Sequence, residues 1–259
     1  MVVISPPQKP KLDQIFKCQR PVLFKGLAKG WKAMKWLEEA DGRSHMRHRL
    51  RDNVIVPMEL NGDYMHGTLE KAHVGLDSVL DTLGVEMAMK EQEQKQALKW
   101  YVAQHELKDI SEALLEDVIT PDLCLTTGKQ TVYRNNFWLN GVAGSSSPCH
   151  NDPFNNMLVQ LHGEKVVTLY DDKSSEALYL ASDTIQKNTS LIPFADFEDQ
   201  ASGEVTVDTE KYPLYHEAGK KTQYGPVTMR PGDALFIPFK YYHWCRARGA
   251  SLSVNWWWL

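Results

Sequence analysis

Three side chains in the C-terminal half of the sequence are candidates to bind one metal ion. His150 and Asp152 lie two positions apart in SSSPCHNDPFNN (145–156), and His243 follows the apolar run ALFIP. If the chain is extended at 150–152, both side chains point to one face, because the side chains of a strand alternate. Two imidazoles and one carboxylate form the 2-His-1-carboxylate triad that binds Fe(II) and leaves coordination positions open. A turn would explain the same Ser, Pro, Asn and Asp residues without a metal.

His243 makes the metal site the better interpretation. An H-x-D triplet alone arises easily by chance, and a single histidine beside two tyrosines is usually a core residue. The stretch RPGDALFIPFKYYHWC (230–245), however, combines a Pro-Gly-Asp turn, an apolar strand and a histidine. In a jelly-roll barrel, such a segment would return a second imidazole to the first site. We therefore predict that His150, Asp152 and His243 form one metal site.

Lys165 adds a positive charge at the head of the apolar stretch KVVTLYD. An exposed lysine with a snorkelling side chain is the usual interpretation. A hairpin from NMLVQL through HGEK would instead carry Lys165 back alongside the His150 strand. There its ammonium could bind the far carboxylate of a small dicarboxylate that chelates the metal. Asn156, Ser147 and Tyr101 could supply the hydrogen bonds that orient this ligand.

Composition excludes several classes of protein. The 259 residues are 42% hydrophobic and 24% charged, which is typical of a globular chain with a sizeable core. A net charge of −4 and a pI of about 6.1 give no general attraction to nucleic acid or anionic membranes. The four scattered cysteines indicate reduced thiols, and neither a membrane-spanning run nor a signal peptide is evident. We expect a nuclear or cytoplasmic location.

The pattern of the chain changes at about residue 130. We predict an extended N-terminal segment (1–20) followed by a single domain (21–259). Its first part (21–129) mixes helices and strands, and its second part (130–259) has short strands separated by Gly, Pro, Asp or Ser. Such strands predict a sandwich or barrel, with 195–226 as a long insertion. Within the first part, we predict strands at 53–60 and 100–107 and helices at 36–40, 75–84 and 110–118.

The chain resembles the JmjC-domain 2-oxoglutarate oxygenases of the cupin superfamily. The resemblance runs from about Pro21 to the C-terminus and is carried by the H-x-D pair, by Lys165 fifteen positions after His150, by PGDALFIP and by His243. The chain is also similar to the small hydroxylase group that includes the JmjC protein reported both as an arginyl hydroxylase and as a lysine demethylase. The stretches behind this likeness are PVLFKG, YVAQHEL, HNDPFNNMLVQLHGEKVVTLYD, LFIPFKYYHWCRA and SLSVNWWW. The resemblance implies a mainly β fold, a double-stranded β-helix (jelly-roll or cupin) core with flanking N-terminal helices and strands.

The same resemblance implies roles for individual residues. The triad would bind Fe(II), and Lys165 would bind the distal carboxylate of 2-oxoglutarate. The residues expected to hydrogen-bond the co-substrate are Tyr101, Ser147, Asn156 and Asn255. Glu59 matches a position where arginyl-hydroxylase-like members carry an acidic group, which could pair bidentately with a guanidinium; an exposed strand-end glutamate is the alternative. The expected walls of the substrate pocket are Tyr64, Trp138 and Trp257, with plain core packing as the alternative for the C-terminal tryptophans.

The implied reaction uses O₂ and 2-oxoglutarate, releases succinate and CO₂, and hydroxylates a substrate C–H bond. The expected substrate is a protein side chain, with arginine favoured. The alternatives are an N-methyl-lysine demethylase, a hydroxylase of a modified tRNA base, and a catalytically inactive JmjC binding module. The acidic net charge counts against nucleic acid, and the sequence leaves the oligomeric state open.

Overall fold

A computed structural model of the chain describes residues 1–5, 11–40, 43–60, 70–182, 187–193, 207–215 and 223–259. The strands are β1 (Val2–Ile4), β2 (Val22–Phe24), β3 (Glu39–Ala40), β4 (Arg43–Ser44), β5 (Ile55–Leu60), β6 (Glu70–Gly75), β7 (Trp100–Glu106), β8 (Val132–Asn140), β9 (Ser145–Ser146), β10 (His150–Asn151), β11 (Asn155–Tyr170), β12 (Gln223–Met229), β13 (Ala234–Ile237) and β14 (Tyr242–Trp258). The helices are α1 (Leu12–Cys18), α2 (Leu76–Ala88), α3 (Glu91–Gln94), α4 (Leu107–Ile110), α5 (Glu112–Leu115) and α6 (Asp122–Thr126). Short 3₁₀ helices lie at Lys32–Lys35, His45–Arg49 and Asp172–Ser174.

Two long antiparallel strands, β11 and β14, form the centre of the fold. They pair from Asn155 opposite Trp258 to Tyr170 opposite Tyr242. The sheet order is β1-β2-β13-β11-β14-β8-β7-β5-β6, with β12 also on β11 and with β9 and β10 also on β14. This arrangement confirms the expectation of a mainly β fold with a jelly-roll core.

The predicted hairpin ahead of Lys165 is wrong. NMLVQL and KVVTLY belong to one continuous strand, β11, whose register against β14 shifts on both sides of His162. Gly163 adopts a φ of +69°, and a Cβ at this position would overlap the Ala250 carbonyl oxygen. The glycine therefore permits β-bulges that bend the strand, where the sequence analysis expects a turn that reverses it.

Alternation along the two long strands separates a core face from a cavity face. On β14, Trp256 and Trp258 are fully buried in the main hydrophobic core, whereas Trp257 between them lines a cavity. On β11, Met157 belongs to the same core and Leu158 lines the same cavity. The parity argument for Trp257 is thereby confirmed, and core packing is the correct interpretation for its two neighbours.

The interpretation of residues 1–20 as an extended segment is wrong in its second half. β1 is extended, but Leu12–Cys18 forms helix α1. Leu12, Ile15 and Phe16 recur at helical spacing and pack against the main core, and the Phe16 ring stacks on Phe236 with centroids 6.4 Å apart. The sequence before Leu12 is rich in proline, so composition alone predicts an extended chain and overlooks the helical spacing of the apolar residues.

Three other boundaries differ from the sequence prediction. Helix α2 continues through Gly84, which is exposed and where an added Cβ would meet no atom outside the helix backbone within 4 Å. The helix expected at 36–40 is absent from these described residues, and β3 ends the segment. The helix expected at 110–118 is interrupted at Ser111, whose hydroxyl oxygen accepts the N–H of Ala113 and caps α5.

The strands predicted at 53–60 and 100–107 correspond to β5 and β7. The insertion predicted at 195–226 lies largely outside the described residues, and β12 begins within it at Gln223. The single domain at 21–259 stays a prediction.

We expect Gly163→Ala to lower the free energy of unfolding by about 2–4 kcal/mol, because left-handed backbone strain adds to the clash with Ala250. Gly84→Ala is the matched control and should raise it by about 0.5–1 kcal/mol, since alanine is the better helix former at an open site. Urea unfolding followed by tryptophan fluorescence measures both changes. A Gly163→Ala variant as stable as the original protein would contradict the role of the bulge.

Candidate functional site

Strand pairing brings the three predicted metal ligands together. β10 pairs with β14 so that His150 lies directly opposite His243, and Asp152 follows immediately after β10. The Nε2 atom of His150 lies 3.9 Å from Oδ1 of Asp152, and Nε2 of His243 lies 3.6 Å from Oδ2. One potential ligand atom from each residue lies within 4.8 Å of the others. The cluster is compact enough for all three residues to bind the same ion.

Backbone carbonyl groups orient both imidazoles. Nδ1 of His150 lies 2.8 Å from the carbonyl oxygen of Pro148, and Nδ1 of His243 lies 3.2 Å from that of Tyr241. With Nδ1 as the donor, each Nε2 keeps its lone pair for the cluster. Burial and the neighbouring His150 lower the pKa of His243 to about 4, so this imidazole is neutral near pH 7. A neutral imidazole is the form that ligates metals.

The chemistry of these ligands fits Fe(II). Two imidazole nitrogens and one carboxylate are typical of non-haem iron oxygenases, whereas Mg²⁺ and Ca²⁺ prefer oxygen ligands. A structural zinc site would normally have four protein ligands. Three protein ligands leave coordination positions for small molecules, which a catalytic site requires. The residues present therefore fit the metal that the resemblance implies.

A cavity of about 70 Å³ adjoins the cluster. It is lined by every residue that is predicted to bind the metal or the co-substrate, and also by Trp138 and Trp257. The lining residues are Tyr101, Gln104, Trp138, Ser147, His150, Asp152, Asn156, Leu158, Lys165, Ile237, His243, Cys245, Asn255 and Trp257. The structure thus gathers in one place residues spread over more than 150 positions of the sequence.

Lys165 is a buried lysine of this cavity, so the interpretation as an exposed side chain is wrong. Its Nζ donates a hydrogen bond to Oγ of Ser253 over 2.8 Å. Burial lowers the pKa of Lys165 to about 8, which still leaves the ammonium mostly protonated at pH 7. An ammonium has three N–H donors, so its hydrogen bond to Ser253 leaves donors that can bind an anion.

A network of amide hydrogen bonds fixes the two asparagines of the cavity. Asn255 donates through Nδ2 to Oδ1 of Asn156 over 2.9 Å. Its own Oδ1 accepts from the indole of Trp138 at 2.7 Å and from the amide of Asn136 at 3.2 Å. The contacts with Asn136 and Trp138 determine which end of the Asn255 amide faces Asn156.

Ser147 is held against β14. Its N–H donates to the carbonyl oxygen of Cys245 at 3.0 Å, and its Oγ accepts the N–H of Cys245 at 3.4 Å. Burial raises the pKa of the Cys245 thiol to about 11, so the thiol stays neutral. A neutral thiol is a poor metal ligand, which leaves the ion to the histidines and the aspartate.

Sequence reasoning missed several residues of the site. They are Gln104, Leu158, Ile237 and Cys245, which line the cavity, and Ser253 and Asn136, which hold lining residues in place. Cys245 and Ser253 lie two residues from His243 and Asn255, so strand parity could have found them. Gln104 has a left-handed φ of 51° next to a register shift in β7, which no pattern in the sequence indicates.

The residues predicted to contact the substrate lie in different places. Trp138 packs against Tyr101 with ring centroids 5.9 Å apart. Glu59 is buried on β5, opposite Tyr101 of β7, so the alternative of an exposed glutamate is wrong. It is not among the lining residues of the cavity, although Tyr101, which lies opposite it, is. Tyr64 lies outside the described residues.

Two arginines of the basic stretch RSHMRHRLR (43–51) form ion pairs within the protein. Arg47 binds Asp81 of α2 at 2.6 Å, and Arg49 binds the buried Asp117 at 3.0 Å. Both arginines thereby tie the 3₁₀ helix at 45–49 to neighbouring segments. Among the described residues, none of the helices is both long and apolar enough to span a membrane.

Residues 7–259 match the family model described as a Cupin-like domain. The chain belongs to this family. It is 31% identical over 248 residues to Lysine-specific demethylase 8 of Xenopus tropicalis, covering 95% of this chain and 49% of the relative. It is 29% identical over 246 residues to Jumonji C domain-containing protein 5 of Drosophila melanogaster, covering 94% and 55%.

A third relative is tRNA wybutosine-synthesizing protein 5 of Gallus gallus, 26% identical over 261 residues, covering 95% of this chain and 73% of the relative. These matches relate the cupin-like chain to the JmjC-domain proteins, as the motifs predict. The chain spans about half the length of the first two relatives.

We expect Lys165→Met to raise the free energy of unfolding at pH 7. Burial lowers the pKa of this lysine from 10.5 to about 8, so the charged side chain costs about 3 kcal/mol in the folded state at 1.36 kcal/mol per pKa unit. The unfolded chain binds the extra proton between pH 8 and 10.5, so the difference between the two proteins should shrink across that range.

Urea unfolding at pH 7 and pH 10 measures this effect, with the exposed Lys173→Met as the control. A Lys165→Met protein that is less stable than the original at pH 7 would show that burial of the ammonium is favourable without a ligand.

Proposed function

We propose that the protein is an Fe(II)- and 2-oxoglutarate-dependent oxygenase that hydroxylates a side chain of a protein substrate, with arginine as the favoured target. One observation carries this proposal: the convergence of His150, Asp152 and His243 beside a cavity that contains the buried ammonium of Lys165. When bound, Fe(II) and 2-oxoglutarate would supply the oxidising chemistry together with O₂, whose two oxygen atoms would end in the hydroxylated substrate and in succinate, with release of CO₂.

The protein's own residues bind and orient the reactants. Lys165 would hold the distal carboxylate of 2-oxoglutarate through a charge-assisted hydrogen bond. The residues that would orient the rest of the co-substrate are Tyr101, Ser147, Asn156 and Asn255. Leu158, Ile237 and Trp257 present apolar surface to the cavity and would exclude water from the reaction.

The choice of arginine rests on Glu59. This buried carboxylate lies on the strand next to β7, opposite Tyr101, which lines the cavity. A guanidinium can form two parallel hydrogen bonds with a carboxylate, which an ammonium cannot. The relative named Lysine-specific demethylase 8 also favours a peptide substrate, in the nucleus or the cytoplasm. The net charge of −4 favours a peptide over a nucleic acid.

Demethylation of N-methyl-lysine is the second candidate, and the names of the relatives favour it. The chemistry is shared up to the insertion of oxygen, because a hydroxylated N-methyl group collapses to formaldehyde. The paired rings of Tyr101 and Trp138 could contribute cation–π contacts to a methylammonium. The relative named tRNA wybutosine-synthesizing protein 5 supports a third candidate, hydroxylation of a tRNA base. The alternative that is not an enzyme is a JmjC binding module without catalytic activity.

Incubation of the protein with Fe(II), 2-oxoglutarate and cell-derived peptides should add one oxygen atom to arginine. Mass spectrometry distinguishes this gain from the loss of a methyl group, which would favour the demethylase. His150→Ala should abolish iron binding and succinate production, because it removes one of three ligands; the exposed His48→Ala should have no effect. Iron-dependent succinate production that survives His150→Ala would refute the metal site. A protein that binds neither iron nor 2-oxoglutarate would be a binding module.

The affinity for 2-oxoglutarate should fall as the pH rises above 8. Free Lys165 loses its proton through a pKa of about 8, and the bound dianion favours the protonated form, so affinity should decrease by up to about tenfold per pH unit. Calorimetric titration with Mn(II) in place of Fe(II) measures this trend. Lys165→Met should bind weakly without this pH dependence, and a constant affinity of the original protein from pH 7 to 9.5 would contradict the assigned role.

A further inference from the structure

Of the three candidate metal ligands, only Asp152 lies outside a strand. His150 belongs to β10 and His243 to β14, whereas Asp152 begins the short loop 152–154 between β10 and β11. Alternation along a strand fixes the direction of its side chains, so the sheet itself orients both imidazoles. The carboxylate needs another source of order to face them.

Backbone contacts supply part of this order. Asp152 precedes Pro153, and a residue before proline favours the extended conformation. The carbonyl oxygen of Asp152 accepts the N–H of Lys240 at 3.3 Å. Just after the loop, Oδ1 of Asn155 accepts the N–H of Phe239 at 3.2 Å. Both hydrogen bonds hold the loop against the segment that leads into β14.

The side chain of Phe154 anchors the end of the loop. Its ring lies between those of Tyr133 and Trp257, with centroid distances of 4.7 Å and 5.5 Å and an interplanar angle of 14° to each. These distances are typical of stacked aromatic pairs, which gain stability beyond the burial of their surface. Tyr133 and Trp257 belong to β8 and β14, which pair with each other. The sheet therefore presents two rings between which the loop inserts a third.

The stack connects the loop to the cavity and to the surface. Trp257 lines the cavity, and Tyr133 at the outer end is 56% exposed. Phe154 is half-buried between them and is not among the lining residues of the cavity. It lies two residues after Asp152, so fixing its ring limits the positions that the carboxylate can reach. Without the ring, metal binding would have to order the loop, which lowers affinity.

We propose that Phe154 is a positioning residue of the metal site: its stacking between Tyr133 and Trp257 holds Asp152 in the orientation that binds the ion. This inference rests on the proposed function, in which Asp152 is a metal ligand. It extends the site to a residue that is neither a candidate ligand nor part of the cavity lining.

The test titrates the full chain with Mn(II) and measures free Mn(II) by electron paramagnetic resonance, so it needs no turnover. Phe154→Leu should bind Mn(II) about tenfold more weakly, which is the lower end of the effect of residues that orient a ligand. Phe154→Tyr keeps the ring and should bind like the original protein. With Co(II), the visible spectrum of Phe154→Leu should shift towards that of Asp152→Ala, because the carboxylate is no longer held in place. An affinity that Phe154→Leu leaves unchanged, or that Phe154→Tyr does not restore, would overturn the inference.

Phe16→Leu is the matched control. Phe16 is half-buried like Phe154 and stacks on Phe236 with ring centroids 6.4 Å apart, but it belongs to α1. This variant should be less stable in urea unfolding and should retain the Mn(II) affinity of the original protein. An equal loss of Mn(II) affinity in Phe16→Leu would show a general effect of destabilisation and would overturn the inference.

Tyr133→Leu tests the same stack from its exposed end, and it serves if Phe154→Leu does not fold. This variant leaves the Phe154 ring with one of its two stacking partners. It should weaken Mn(II) binding by about threefold, the effect of one aromatic pair. An unchanged affinity in Tyr133→Leu would count against the stack as the element that positions Asp152, and would overturn the inference.

His150→Ala separates the inference from the proposed function. If the original protein binds no Mn(II), or if His150→Ala binds it equally well, the metal site is wrong and both ideas fail. If His150→Ala abolishes binding but neither Phe154→Leu nor Tyr133→Leu weakens it, the metal site stands and the inference alone is wrong.

Discussion

The pairing of β11 with β14 is the constraint on which the site depends. β14 supplies His243, Asn255 and Trp257 from two distant parts of one strand, and β11 supplies Asn156 and Lys165 in the same way. The other two candidate metal ligands, His150 and Asp152, come from β10 and from the residue after it, and β10 pairs with β14. Because alternation fixes which side chains face inward, the register of this one pairing decides the composition of the cavity.

The site also buries polar groups that would be better solvated in water. His243 is held neutral, Lys165 is held charged with a hydroxyl partner, and two asparagine amides are held by hydrogen bonds. An apolar cavity lining would stabilise the fold more, but it could not bind a metal ion and a dicarboxylate. Under the proposed function, the buried ammonium is a place where lower stability accompanies a binding role.

The sequence was sufficient to predict that the three candidate ligands converge, because their convergence depends on local alternation and residue type. His150, Asp152 and Trp257 follow from the period of two along a strand, and His243 from the turn and strand that precede it. The bend at Gly163 could not be predicted, because a glycine between two apolar runs is equally typical of a hairpin turn. Helix α1 depends on the contact of Phe16 with Phe236, which are 220 positions apart and meet only in the folded chain.

The bulges around His162 and Gly163 also divide β11 into two segments, each with its own alternation of inward and outward side chains. Residues before the bend and residues after it each alternate correctly, but the register shifts between them set the phase of one half relative to the other. Insertion or deletion of one residue near the bend would turn Lys165 and every later side chain of the strand to the opposite face, while leaving Asn156 in place. Length changes in this part of a JmjC core should therefore survive only in steps of two residues, or together with a new bulge that restores the phase.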